Sequence, residues 1–126
     1  MRKVLLLLTV SMALAAGVHS EENELSVDLM QSIEDTNKSL SSNIALSNKK
    51  GSTEDAKELT RMFAEVETFF DHKGDAKNAV ELAKQSKELS TNIVGFVAAN
   101  NFDSASTAAT TLSRTCRTCH TFYKKE

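Results

Sequence analysis

Residues 26–47, SVDLMQSIEDTNKSLSSNIALS, carry one stripe of side chains at helical spacing. The members of the stripe recur at intervals of three or four positions, which places them on one face of an α-helix. They are Met30, Ile33, Asn37, Leu40 and Ile44. Asn37 is the polar interruption of this stripe. No segment alternates apolar and polar residues, and the chain has no proline, so the sequence predicts helix throughout.

Three more amphipathic segments follow this one, and short turn signals separate them. The candidate inner faces are Leu59, Met62, Phe63, Val66, Phe69 and Phe70 on the second helix, Ala79, Val80, Leu82, Ala83, Leu89, Ile93, Phe96 and Val97 on the third, and Ala105, Ala108, Ala109, Leu112, Cys116, Cys119, His120 and Tyr123 on the fourth. Four helices with short connections predict an all-α, antiparallel, up-down-up-down four-helix bundle.

The first turn signal is the sequence Lys49-Lys50-Gly51. Cations suit the carbonyl end of a helix, and glycine can adopt the left-handed conformation that ends one. The pattern therefore predicts that the first helix closes at Gly51 and that Ser52 or Thr53 caps the second.

The remaining turn signals resemble the first. Gly74 is predicted to end the second helix, and Asp75 to cap the third. Asn100 and Asn101 are predicted to end the third helix, with Asp103 capping the fourth.

Residues 1–20 have the pattern of a secretory signal peptide. Arg2 and Lys3 precede an apolar run of about 13 residues, and small and polar residues follow it up to Ser20. The alternative, a membrane anchor, needs about 20 apolar residues. We expect cleavage near Ser20 and export to the periplasm, an oxidising compartment.

The composition limits the class of protein. The chain has 126 residues, two cysteines and a net charge of −2, with 40% hydrophobic and 25% charged residues. These values fit one globular domain, residues 21–126, without a disulfide scaffold or a membrane span. Beyond residue 20, 13 basic and 17 acidic residues give a net charge of −4. Such a balance gives no electrostatic basis for binding nucleic acid.

The sequence Cys116-Arg117-Thr118-Cys119-His120 has the spacing of a c-type haem attachment motif. Residues three and four positions apart share one face of a helix, so both thiols and the imidazole converge. Two thioethers can then hold the porphyrin while His120 binds the iron as the proximal ligand.

Three other uses of this motif fit the sequence less well than haem attachment does. A redox dithiol normally begins a helix that follows a strand, and no strand is predicted. A zinc site needs four ligands, and His72 is the only further cysteine or histidine beyond residue 20. A disulfide between Cys116 and Cys119 would close a small, strained loop.

The ending LSRTCRTCHTFYKK, residues 112–125, follows a helix rich in small residues. It resembles the ending of the class II c-type cytochromes, which comprise cytochrome c prime and its low-spin relatives. The first and last helices are also similar to those of the periplasmic b-type four-helix-bundle cytochrome. Only the final motif is specific. The resemblance implies one haem c near the C-terminal helix and electron transfer with redox partner proteins rather than enzymatic catalysis.

The resemblance also implies that Met30 is the sixth iron ligand, because the low-spin relatives carry a methionine early in the first helix. In an up-down-up-down bundle this position is level with His120. The alternative, that Met30 is an ordinary core residue, remains open. In the alternative function the haem is five-coordinate, Leu29 shields its open face, and the protein binds NO or CO. Met62 is predicted to be core, and His72 a surface or capping residue.

Cations cluster around the haem motif. Arg114 and Arg117 are candidate contacts for the haem propionates, and with Lys124 and Lys125 they also suit acidic redox partners. The alternative is that each of these cations is an ordinary solvated residue at the end of a helix. A homodimer through the first two helices remains open.

Overall fold

The computed structural model describes residues 25–123 as four helices. They are α1 (Val27–Ala45), α2 (Lys49–Lys73), α3 (Lys77–Ala98) and α4 (Phe102–Tyr123). The predictions for residues 1–20 and for Lys124 and Lys125 lie outside the described residues, as does that for the side chain of Tyr123. Within residues 25–123, no helix is both long and apolar enough to cross a membrane.

The helices pack as a ring in which each contacts the two beside it. α2 packs against α1 and α3, and α4 packs against α3 and α1. Consecutive helices joined by short connections alternate in direction, so the predicted antiparallel four-helix bundle is confirmed. The seam between α1 and α4 is the least closely packed of the four. It joins the first and last helices of the chain.

The core contains large apolar side chains from all four helices. The largest include Leu40, Leu59, Ile93 and Leu112, each of which is fully buried. Predicted inner-face alanines of α4 are also buried: Ala105, Ala108 and Ala109. Small buried side chains allow close helix packing, and α4 packs more closely against α3 than against α1.

The connection between α1 and α2 differs from the prediction. α2 already begins at Lys49, and the side chain of Asn48 accepts a hydrogen bond from the backbone N–H of Gly51 at 3.1 Å. Gly51 therefore lies in the first turn of α2 instead of ending α1. Neither Ser52 nor Thr53 caps the helix, because both lie within it.

Gly51 is required by a close approach between helices. A Cβ atom at this position would lie 2.7 Å from the side chain of Asn43 on α1. Asn43 is held there by a hydrogen bond from its Nδ2 to Asp55 Oδ2 at 2.8 Å. The left-handed residue of this turn is Ser47, with φ of 51°.

The other two turns follow the prediction in part. Gly74 ends α2 with φ of 77°, as predicted, whereas Asp75 does not cap α3, since the preceding residue is Ala76, without a side-chain cap. Asn100 ends α3 in the left-handed conformation, as predicted. Asp103 does not cap α4; Asn101 does, its Oδ1 accepting from the backbone N–H of Ser104 at 3.1 Å.

Several buried residues carry hydroxyl groups and were therefore not predicted as part of the apolar faces. Ser86, Ser90 and Thr115 are buried, and each donates its hydroxyl proton to the backbone carbonyl four residues earlier in its helix. This bond satisfies the hydroxyl, so a small polar side chain can occupy a core position.

Candidate functional site

A cavity of about 440 Å³ lies among the four helices. Its apolar wall contains Ile33 from α1, Phe63 and Val66 from α2, and Leu82 and Ala83 from α3. The volume falls in the range of about 300–1,000 Å³ that is typical of small-molecule sites. α4 supplies most of its polar and sulfur-containing groups.

Five of the predicted site residues line this cavity together. They are Met30 on α1 and Cys116, Arg117, Cys119 and His120 on α4. Arg114 is exposed and is not part of the lining. The helical spacing of the cysteine–histidine motif thus brings both sulfur atoms and the imidazole to one cavity, with the Met30 thioether in the wall contributed by α1.

One hydrogen bond shows how α1 and α4 are aligned. Asn37 donates from Nδ2 to Ser113 Oγ at 3.1 Å. Because the helices are antiparallel, moving seven positions back from Asn37 and seven forward from Ser113 reaches Met30 and His120. Both residues therefore lie two helical turns, about 10 Å, from the hydrogen bond and on the same side of it.

The two thiols are half-buried and free. Burial raises the pKa of the Cys116 thiol to about 11, and the neighbouring Cys119 contributes to the rise. Burial also raises the pKa of Cys119. Both sulfur atoms are therefore protonated near neutral pH, which makes them weak nucleophiles.

Glu34 is an acidic residue of the site that sequence reasoning missed. It lines the cavity and accepts a hydrogen bond from Lys38 Nζ at 2.7 Å. That bond and the Lys38 charge hold the pKa of Glu34 below its ordinary value, and the nearby His120 adds a smaller effect. Glu34 stands one turn from Met30 on α1, so the spacing alone could have identified it.

The other candidate ligands lie away from the cavity lining. Met62 is buried in the core, and His72 is exposed near the end of α2. Leu29 is partly buried against the core. None of these three residues lines the cavity, so Met30 is its only methionine.

The ligand atoms that line the cavity determine which group it can hold. Within residues 25–123, no cluster of three or more histidine, cysteine or acidic side chains can hold a metal ion by itself. One imidazole and one thioether in an apolar cavity instead suit an iron whose other ligands come from a porphyrin. The two thiols beside them can form thioethers to that porphyrin. The residues present therefore fit a haem group.

Comparison with known proteins adds no further information. No protein-family model, curated protein or solved structure matches this chain.

Proposed function

We propose that this chain is an exported mono-haem c-type cytochrome that carries electrons between redox partner proteins. The observation that carries the proposal is the shared cavity of Met30, Cys116, Cys119 and His120. A helical cysteine–histidine motif alone is compatible with several uses. Its position in an apolar cavity with a methionine from another helix favours haem.

The haem, when bound, supplies a one-electron couple at its iron. Cys116 and Cys119 hold the porphyrin through two thioether bonds, so the group cannot dissociate from a small bundle. His120 and Met30 would be the residues that bind the iron. Both stand on packed helices, so the protein around the iron would rearrange little when an electron is gained or lost.

The walls of the cavity define the environment of the group. Phe63, Val66 and Leu82 give it apolar walls. A low-polarity environment disfavours the extra positive charge of the ferric iron, and a methionine ligand acts in the same direction, so we expect a raised reduction potential. Arg117 lines the cavity and is exposed, so it would be the cation best placed to meet a haem propionate, and Arg114 would belong to the exposed surface that meets acidic partners.

The location follows from the N-terminal pattern rather than from the described helices. Residues 1–20 are proposed to direct export to the periplasm, where thioether attachment takes place, and to be removed near Ser20. The cytochrome domain is then residues 21–126. It transfers electrons and breaks no bonds, so none of its residues is catalytic.

The test is to express the chain with its leader in a bacterium that attaches haem c in the periplasm. We expect a red protein whose mass exceeds that of the processed chain by one haem, and whose haem remains bound in denaturing electrophoresis. A colourless, unmodified protein recovered from the periplasm would contradict the proposal. A covalent haem with a high-spin ferric spectrum would instead support the five-coordinate protein that binds NO or CO.

A further inference from the structure

A hydrogen-bonded pair interrupts the apolar wall of the cavity. Asn37 on α1 and Ser113 on α4 both line it, and their side chains are joined by a 3.1 Å hydrogen bond. The pair lies two helical turns from Met30 and His120, at the inner part of the same cavity. Neither residue has a role in the thioether bonds or the iron ligands proposed above.

Each member of the pair has one hydrogen-bond donor to spare. The amide nitrogen of Asn37 carries two protons and gives one to Ser113. Ser113 accepts that bond, and its own hydroxyl proton goes to no other residue of the described chain. Two free donors on neighbouring helices, with their heavy atoms 3.1 Å apart, can each donate to an oxygen of one carboxylate.

The hydrogen bond between Asn37 and Ser113 adds little to the stability of the bundle. Asn37 Oδ1 is buried and has no hydrogen-bond partner within residues 25–123. A buried acceptor without a partner lowers stability, and two apolar residues of similar shape would hold the seam at least as well. The fold alone therefore gives no reason for this pair. Oδ1 is an acceptor and takes no part in binding a carboxylate; the groups that can do so are the second Nδ2 proton of Asn37 and the hydroxyl of Ser113.

Charge at the same wall agrees with an anionic group. Arg117 stands one turn beyond Ser113 on the same face of α4, lines the cavity and makes no ion pair within residues 25–123. The acidic side chain in the lining, Glu34, is already engaged by Lys38. An incoming carboxylate thus meets three donor side chains, and the Lys38 charge offsets that of Glu34 in part.

We infer that Asn37 and Ser113 bind a carboxylate group of the molecule held in the cavity. This inference rests on the proposed function, in which that molecule is haem and the carboxylate is one of its propionates. The bound carboxylate accepts the second amide proton of Asn37 and the hydroxyl proton of Ser113, and Arg117 balances its charge.

The test compares two probes, haemin and haemin dimethyl ester, which differ only in the presence of free carboxylates. Each is titrated into the full-chain apoprotein with reduced thiols, and the dissociation constant is measured by absorbance. We expect Asn37→Ala and Ser113→Ala each to weaken haemin binding about tenfold more than ester binding. Asn37→Asp should weaken haemin binding further, because two carboxylates then repel each other.

Asn43→Ala is the matched control. It also removes an amide that bridges two helices, but Asn43 bonds Asp55 and does not line the cavity, so its effect should be equal for both probes. Ser113→Ala deletes a single atom and keeps the test valid if Asn37→Ala fails to fold. Equal weakening of both probes by Asn37→Ala and Ser113→Ala would overturn the inference while leaving the haem proposal in place. Failure of the wild type to bind either probe would overturn both.

Discussion

Met30 on α1 and His120 on α4 line one cavity, and each stands seven positions from the hydrogen bond that joins Asn37 to Ser113. The two side chains are thus level with each other across the seam between the first and last helices. We propose that this methionine and this histidine bind the haem iron of the proposed cytochrome.

Replacing Met30 tests the sixth ligand directly. We expect the ferric wild type to be low-spin and Met30→Leu to be high-spin in optical and electron paramagnetic resonance spectra, because leucine keeps the volume but has no sulfur to bind iron. Met62→Leu is the matched control, since Met62 is buried and does not line the cavity. A low-spin spectrum in Met30→Leu, or a high-spin one in the wild type, would refute this assignment.

The two cysteines should contribute separately to haem attachment. Cys116→Ala and Cys119→Ala are each expected to retain one thioether, so the α-band of the pyridine haemochrome should move toward longer wavelength in both. The double variant should lose its haem during denaturing electrophoresis. An unchanged band in either single variant would mean that its thiol makes no bond to the porphyrin.

The raised pKa of Cys116 predicts slow alkylation of the apoprotein. Iodoacetamide should modify Cys116 in the Cys119→Ser variant with a midpoint well above pH 9, whereas the same chain in urea should show a midpoint near the ordinary pKa of a cysteine thiol, about 8.5. Burial is the main cause of the shift, so it should persist without Cys119. Equal midpoints in the folded and unfolded chains would contradict this account.

The same shift makes apoprotein stability depend on pH. Because the folded-state pKa of Cys116, about 11, exceeds the unfolded value, the thiol contributes its full stabilisation below about pH 8.5. That contribution is lost as pH rises toward the folded pKa. Chemical denaturation at pH 8 and pH 10.5 should show a smaller loss of unfolding free energy in Cys116→Ala than in the wild type.

Two helical glycines are expected to respond in opposite ways to alanine. Gly95→Ala should stabilise the protein by about 0.5–1 kcal/mol, because a Cβ there meets no atom within 4 Å and alanine favours helix. Gly51→Ala should destabilise it by about 1–3 kcal/mol, since its Cβ would overlap the side chain of Asn43. Thermal unfolding measures both. If overlap is the cause, Asn43→Ala should make the second substitution less costly than it is in the wild type.

The sequence predicts the four helices correctly but not all the turns between them. Spacings of three and four identified the inner faces, and the alternation of helix direction set Met30 level with His120. Gly51 was misinterpreted because a glycine that relieves an interhelical contact has the same sequence signature as one that ends a helix. Only the position of Asn43 distinguishes these cases, and that position depends on tertiary packing.

Polar residues inside the bundle are the other feature that the sequence does not predict. Ser86 and Ser90 look like surface residues in the sequence, yet each satisfies its hydroxyl on its own helix and is buried. Asn37 was noted as an interruption of the α1 stripe, but its partner could not be identified. Ser113 lies 76 positions away, and a single sequence contains no signal that pairs them.

The seam between α1 and α4 also determines when the cavity can exist. Met30 lies on the first helix and the cysteine–histidine motif on the last, so a chain that lacks α4 has only the walls that α1, α2 and α3 contribute. An unfinished chain therefore has no pocket in which to retain a porphyrin. The contacts between α1 and α4 have the largest sequence separation of any helix pair in the bundle, so they carry the largest loop-closure entropy, and they complete the binding site.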